Sequence, residues 1–161
     1  MKILGIDPGY GILGWSIIDD NLKVFDFGTI NTPKNKDLAD RLLQIHDELS
    51  VIISKYKPET VAMERLFFAK NNTTAMDVAK TIGVVILLLK KSNLDYFEYT
   101  PSQVKLSITG FGRATKSQMQ VMIKKIFNIK ELPKEDDAAD ALAIAACHSF
   151  SSNCKKLNVK N

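Results

Sequence analysis

Hydrophobic and polar positions alternate between two periods along this chain, and that alternation predicts its elements. Lys2 to Ile6 reads as a short buried strand closed by the turn Pro8-Gly9-Tyr10-Gly11. Leu13 to Ile18 and Leu22 to Ile30 read as two more strands joined through Asp19-Asp20-Asn21, and three sequential antiparallel strands are the economical arrangement. From Lys36 to Tyr56 the period lengthens. Leu38, Leu42, Ile45, Leu49, Ile52 and Ile53 recur at helical spacing, and Pro58 closes the helix. Thr60 to Met63 is a fourth strand that delivers Glu64 at its end, Thr74 to Lys91 a second helix, and Tyr96 to Tyr99 a fifth strand.

Two capping boxes then announce two helices. Thr100-Pro101-Ser102-Gln103 places a hydroxyl cap, a first-turn proline and a glutamine at the third position, and Thr115-Lys116-Ser117-Gln118 repeats the logic for a helix running to Phe127. Pro133 precedes a last helix from about Glu135 to His148. The expected result is an α/β fold, a mixed five-stranded sheet with its first three strands antiparallel and helices on both faces. One domain over residues 1–150 is expected, followed by a polar, basic tail over 151–161.

Composition narrows the class. Apolar residues make up 45% of 161 residues, enough for a core without disulfides. The longest apolar run, Ile82 to Leu89, is far short of the ~20 residues a membrane span needs. No secretory leader is recognisable at the N-terminus. Cys147 and Cys154 form no zinc-type pair, so reduced thiols in a cytoplasmic protein are expected. Charge is unevenly spread. Residues 1–100 carry 12 Lys and Arg against 13 Asp and Glu, whereas residues 101–161 carry 10 against 5. Three of those five acids are Asp136, Asp137 and Asp140. A basic surface beside an acidic knot suits phosphate-backbone binding with metal chemistry.

Four carboxylates carry that chemistry. Asp7 ends the first strand, and is either a functional acid or the opening residue of an Asp-Pro-Gly turn. Glu64 ends the fourth strand between Met63 and Leu66; it is either a partner of Asp7 or a strand-end charge paired with Arg65. Asp137 and Asp140 share one face of an alanine-rich helix, where like charges repel and call for compensation by a cation. Asp136 points elsewhere, as a solvated acid. Oxygen donors without His or Cys indicate a hard metal, Mg²⁺ before softer ions, and a pair of such ions serves phosphodiester hydrolysis. His46 and His148 are assigned to surface or packing. Phe67 and Phe68 precede the polar loop Lys70-Asn71-Asn72, where one can stack on a base and the other pack in the core. Arg113 and Lys116, with Gly110 and Gly112, make a basic loop suited to phosphate.

Four segments, GIDPGYGILGW from Gly5, MERLFFAKN from Met63, TPSQVKLSITGFGRATKSQMQ from Thr100 and DDAADALAIAACH from Asp136, together resemble the RuvC family of bacterial Holliday-junction resolvases, within the RNase H-like (retroviral integrase) superfamily. The resemblance spans nearly the whole chain. It implies an RNase H-like fold and a Mg²⁺-dependent endonuclease, with two ions per site and Mn²⁺ able to substitute. It implies that Asp7, Glu64, Asp137 and Asp140 are catalytic metal ligands, that Lys105 and Lys116 serve junction binding, and that Phe67 contacts unpaired bases. A homodimer nicking two strands of like polarity is implied, with the RuvA–RuvB branch-migration complex as partner. Other readings are an RNA-processing nuclease with the same site, a sugar-kinase-like ATPase lobe, and a junction-binding module without catalysis.

Overall fold

The computed structural model describes residues 1–65, 72–132 and 135–158, without the side chains of 72–74 and 153–158. Five strands form one sheet in the order β3-β2-β1-β4-β5. β1 (Lys2–Asp7), β2 (Ile12–Asp19) and β3 (Val24–Asn31) are antiparallel neighbours; β4 (Thr60–Glu64) and β5 (Tyr96–Tyr99) continue parallel to β1. The mixed sheet expected from the alternation is therefore present, with its first three strands antiparallel.

Strand parity sorts the core into two layers. Leu4, Ile6, Leu13, Ile17, Val61 and Met63 face α1 (Leu38–Tyr56) and α2 (Asn72–Lys91). Ile3, Ile18 and Ala62 face α3 (Pro101–Thr109), α4 (Lys116–Phe127) and α5 (Asp136–Asn158). Both capping boxes form as read. Thr100 accepts from the Gln103 N–H and Thr115 from the Gln118 N–H, and each glutamine reaches back to its cap.

Most strand ends and the start of α2 shift by one or two residues from the sequence reading, and three boundaries differ for a reason the structure shows. β3 begins at Val24, not Leu22. Leu22 has a φ of 65°, and Asp19 Oδ1 accepts from the N–H groups of Asn21 and Lys23, so this stretch is a side-chain-braced turn. α1 begins at Leu38, not Lys36, because Asp37 is its cap and accepts from the Asp40 N–H at 2.8 Å. α5 runs beyond the expected His148 to Asn158, so residue 150, expected to divide domain from tail, falls inside a helix. No glycine or proline interrupts this stretch, and its serines bond locally or to the domain: Ser151 donates to the Cys147 carbonyl, Ser149 to that of Asp20.

α5 lies unusually close to the sheet. A Cβ on Gly5 would stand 2.2 Å from the Ala141 carbonyl oxygen, and one on Gly14 would stand 2.0 Å from that of Asp137. Ser16 Oγ donates to the Ala141 carbonyl at 2.9 Å. Ala138, Ala139, Ala141, Ala143, Ala145 and Ala146 are all buried. Small residues on both sides permit this contact, and it fixes where the first turn of α5 sits.

Candidate active site

Asp7 and Glu64 emerge side by side for a reason that can be counted. β1 and β4 are parallel, with Gly5 opposite Ala62 and Ile6 opposite Met63, so one further step brings Asp7 beside Glu64. Parity sends both toward the α5 layer, since Ile3 and Ala62 lie there while Ile6 and Met63 face away. On the other flank of β1, Asp7 pairs with Gly14, and Gly14 is the residue that receives the Asp137 backbone. One helical turn on, Asp140 shares that face of α5. All four sequence-identified acids thus converge on one end of the sheet.

Electrostatics record the convergence. The Asp7 and Glu64 carboxyls lie close enough to act on each other's protonation. The Asp7 carboxyl is pushed up to about 8, first by burial, then by the charges of Glu64 and Asp140, the bond to Glu64, and Asp137. Burial also raises Glu64, against the lowering influence of its bond from Asp7 and of Lys105. Asp140 lies at the solvent surface, yet neighbouring protein still desolvates its carboxyl and raises it; Lys116 and Lys105 pull it down, and Asp137 and Asp136 push it up.

Four oxygen donors without imidazole or thiolate suit a hard divalent cation. The mutual repulsion that raises the Asp7 carboxyl is what such a cation would neutralise. Among the described residues no group of three or more acidic, His or Cys side chains is drawn together closely enough to hold a metal ion by itself.

Beside Glu64 and Asp140 a groove runs between α3, α4 and α5. Its apolar floor includes Val104, Met119, Ile123 and Ile144, and Lys105 and Lys116 stand among its lining residues. Lys105 is half-buried and Lys116 exposed. Asp136, read from sequence as a solvated acid, is exposed but ion-paired with Lys116 across 20 residues of chain. No local signal announces a contact of that range. Arg113 is exposed in the turn that follows α3. That turn is held rather than loose. Gly110 closes α3 at φ 77°, and the Thr109 hydroxyl accepts from the Phe111 N–H at 3.1 Å.

The remaining candidates separate cleanly. His148 is buried, bonded to the Tyr99 hydroxyl at 2.9 Å and stacked on Phe97, so it is a packing residue. His46 pairs with Asp47 on α1. Phe67 and Phe68 lie outside the described residues.

Comparison with known proteins places this geometry. The family model described as "Crossover junction endodeoxyribonuclease RuvC" matches residues 3–148. A protein of that name from Caldicellulosiruptor saccharolyticus is 48% identical over 157 residues, covering 95% of each chain. The solved structure of T. thermophilus RuvC in complex with a Holliday junction substrate superposes with a TM-score of 0.90 at 31% identity, covering 96% of each chain. The yeast mitochondrial Holliday junction resolvase Ydc2 shares the fold at a TM-score of 0.63 and 16% identity, covering 96% of this chain and 85% of its own. The fold is RNase H-like, as the resemblance implied.

Proposed function

The chain belongs to the RuvC family of crossover junction endodeoxyribonucleases, and on that premise we propose that it resolves four-way DNA junctions by hydrolysing phosphodiesters at Asp7, Glu64, Asp137 and Asp140. The chain is a nuclease by family, and nucleases of this family depend on metal. That the metal is Mg²⁺, two ions per site with Mn²⁺ able to substitute, is part of the proposal. The observation that carries it is the convergence of the half-buried Asp7 and Glu64 with Asp137 and Asp140 at one end of the sheet.

Asp7, Glu64, Asp137 and Asp140 would hold the metal. Bound there, it supplies activation of a water and neutralisation of the departing oxygen. The chain's own residues do the rest. Asp7 and Glu64, whose carboxyls are raised by burial and by their acidic neighbours, would have to be ionised to serve as ligands. Lys105, half-buried beside Glu64, and Lys116, on the rim, orient the phosphodiester and draw the strand toward the acids. Lys116 exchanges its pairing with Asp136 for phosphate, a small cost because an exposed ion pair is screened by water. Arg113 supports the flanking backbone, and Phe67 stacks on bases unpaired at the crossover. Lys105, Lys116, Arg113 and Phe67 are thus the DNA-binding set.

A homodimer matches the two-fold symmetry of the substrate, one site to each of two strands. α2 offers a face for it. Of the small residues Ala75, Ala79 and Gly83, the latter two are exposed, flanked by Met76 and Leu87 at 59% and 60% exposure. A Cβ at Gly83 would meet nothing within 4 Å. A cytoplasmic location and cooperation with the RuvA–RuvB complex complete the reading. Among the described residues no helix is long and apolar enough to cross a membrane.

The test uses a four-way junction, matched duplex and RNA–DNA hybrid, each in Mg²⁺ and in EDTA, with wild type, Asp7→Asn and Glu64→Gln. Expected are Mg²⁺-dependent paired nicks in the junction alone. Both variants should lose cleavage by on the order of 10²–10³ or more while still shifting the junction in EDTA. Near-normal cleavage by Asp7→Asn would overturn the site, and equal cutting of hybrid would favour an RNA-directed nuclease.

A further inference from the structure

Arg41 heads the buried ladder of α1, in line with Ile45, Leu49 and Ile53, and is only 8% exposed. A guanidinium in such a place ordinarily faces a carboxylate, because burying an uncompensated charge is costly. Here no acidic side chain among the described residues forms an ion pair with it. Its Nε donates to Thr32 Oγ1 at 2.9 Å, and its plane lies 4.6 Å from the centre of the Tyr10 ring. Asp37, close by in sequence, is committed to capping the helix. Among the described residues the Nη groups, which carry most of the donors, find no hydrogen-bond acceptor.

The location gives this charge a use. Tyr10 and Gly11 belong to the turn that leaves Asp7, and Thr32 follows the end of β3. The Thr32 hydroxyl donates to the Tyr10 carbonyl at 2.6 Å, and its backbone N–H to that of Gly11 at 2.9 Å. Arg41 therefore sits under the turn at the same end of the sheet as the four acids, on its α1 side. A Cβ on Gly11 would stand 3.3 Å from Arg41 Nη2, so glycine leaves that edge of the guanidinium uncovered. The paired N–H groups of a guanidinium edge match two oxygens of a phosphate. The N-terminal turn of α1, which holds Arg41, adds positive potential.

We propose that Arg41 binds a phosphodiester group of the DNA strand, which reaches it over Gly11, as a subsite separate from the four acids. It rests on the resolvase reading. The phosphate supplies the counter-charge that the protein omits, and with Lys105 and Lys116 on the α5 side the strand is held on both flanks of Asp7. Arg41 thereby sets which phosphate lies over the acids.

The experiment is junction binding in EDTA across a salt series, with Arg41→Gln, Arg41→Lys and Gly11→Leu, each first checked for native circular dichroism. Loss of one phosphate contact should flatten the log–log salt dependence by about 0.9 in Arg41→Gln, while Arg41→Lys keeps the wild-type slope. Gly11→Leu, which leaves the charge but covers its edge, should flatten the slope likewise, and it keeps the test alive if Arg41→Gln misfolds. Phosphate-ethylation interference should lose one protected position in Arg41→Gln and leave the others. An unchanged slope and footprint, with only a lower melting temperature, would make Arg41 a brace for the turn and end the proposal. Failure of the wild type to prefer the junction over duplex would instead sink the resolvase reading itself, and this subsite with it.

Discussion

Replacing Asp7 by Asn should make the metal-free protein more stable, and increasingly so as pH rises. Unfolded, the Asp7 carboxyl titrates near 3.8; folded, it titrates near 8, chiefly through burial and the charges of Glu64 and Asp140. Between those values the unfolded chain has released this proton and the folded chain retains it. Stability rises with pH only where the unfolded state binds more protons; here the folded state binds more, so stability falls from about pH 4 to about pH 8 and levels off above. At about 1.36 kcal/mol per pKa unit, the ceiling is on the order of 6 kcal/mol. Both carboxyls are partly exposed and water screens them, so roughly 2–3 kcal/mol is the expected gain for the variant at pH 8.5. For a chain of this size, that raises the melting temperature by about 4–12 °C. Asn keeps the shape of Asp and can still donate to Glu64. Thermal unfolding of both proteins in EDTA from pH 4 to 9 measures the difference. Millimolar Mg²⁺ at pH 8.5 should then narrow it, because binding to the folded state favours the protein with the intact ligand set. A gap that is constant or shrinking between pH 5 and 8.5, or an Asn variant less stable than wild type at pH 8.5, would refute the electrostatic account of the site.

Lys105→Ala and Lys116→Ala should each reduce junction cleavage strongly and flatten the salt dependence of binding by about 0.9; unchanged cleavage and slope would return both lysines to the solvated surface. Leu87→Asp, at a position 60% exposed, should leave the melting temperature nearly unchanged while giving a monomeric mass by ultracentrifugation and uncoupling the paired nicks. A wild type that is monomeric at micromolar concentration, and still monomeric on the junction, would contradict the α2 interface. Phe67→Leu should keep the fold and lose cleavage with a milder loss of affinity, whereas a clear fall in melting temperature with normal activity per folded molecule would make Phe67 a core residue.

What was legible in the sequence was whatever is decided locally or by period. Both capping boxes form because cap and partner lie three residues apart and need no tertiary help. The four acids were legible because strand ends and an i,i+3 pair fix their faces before any packing is known. Long-range choices were not. Asp136 reads as a solvated acid until Lys116 arrives from α4. His148 reads as surface or packing until Tyr99 and Phe97 close over it. Leu22 reads as strand because it is apolar, and only the Asp19 side chain makes it a turn. Arg41 left a trace: a cation stands in the ladder with Ile45, Leu49 and Ile53, and a charge on an apolar stripe is itself a signal.

The glycines and alanines under α5 connect the legible part to the function. Gly5 and Gly14 leave no room for a Cβ beneath the helix, and the alanines of α5 let its backbone settle there. That contact brings Asp137 over Gly14, opposite Asp7. Without metal the arrangement opposes folding, since it buries Asp7 among like charges. A larger residue at position 14 would lift the first turn of α5 and move Asp137 and Asp140 away from Asp7 and Glu64. The acids would then repel less and the Asp7 carboxyl would fall back toward its ordinary range, but the proposed ligand set would come apart. The close packing that glycine permits and the repulsion that burial enforces are therefore one structural feature, and the four-acid site exists only where the rest of the core is stable enough to hold it together.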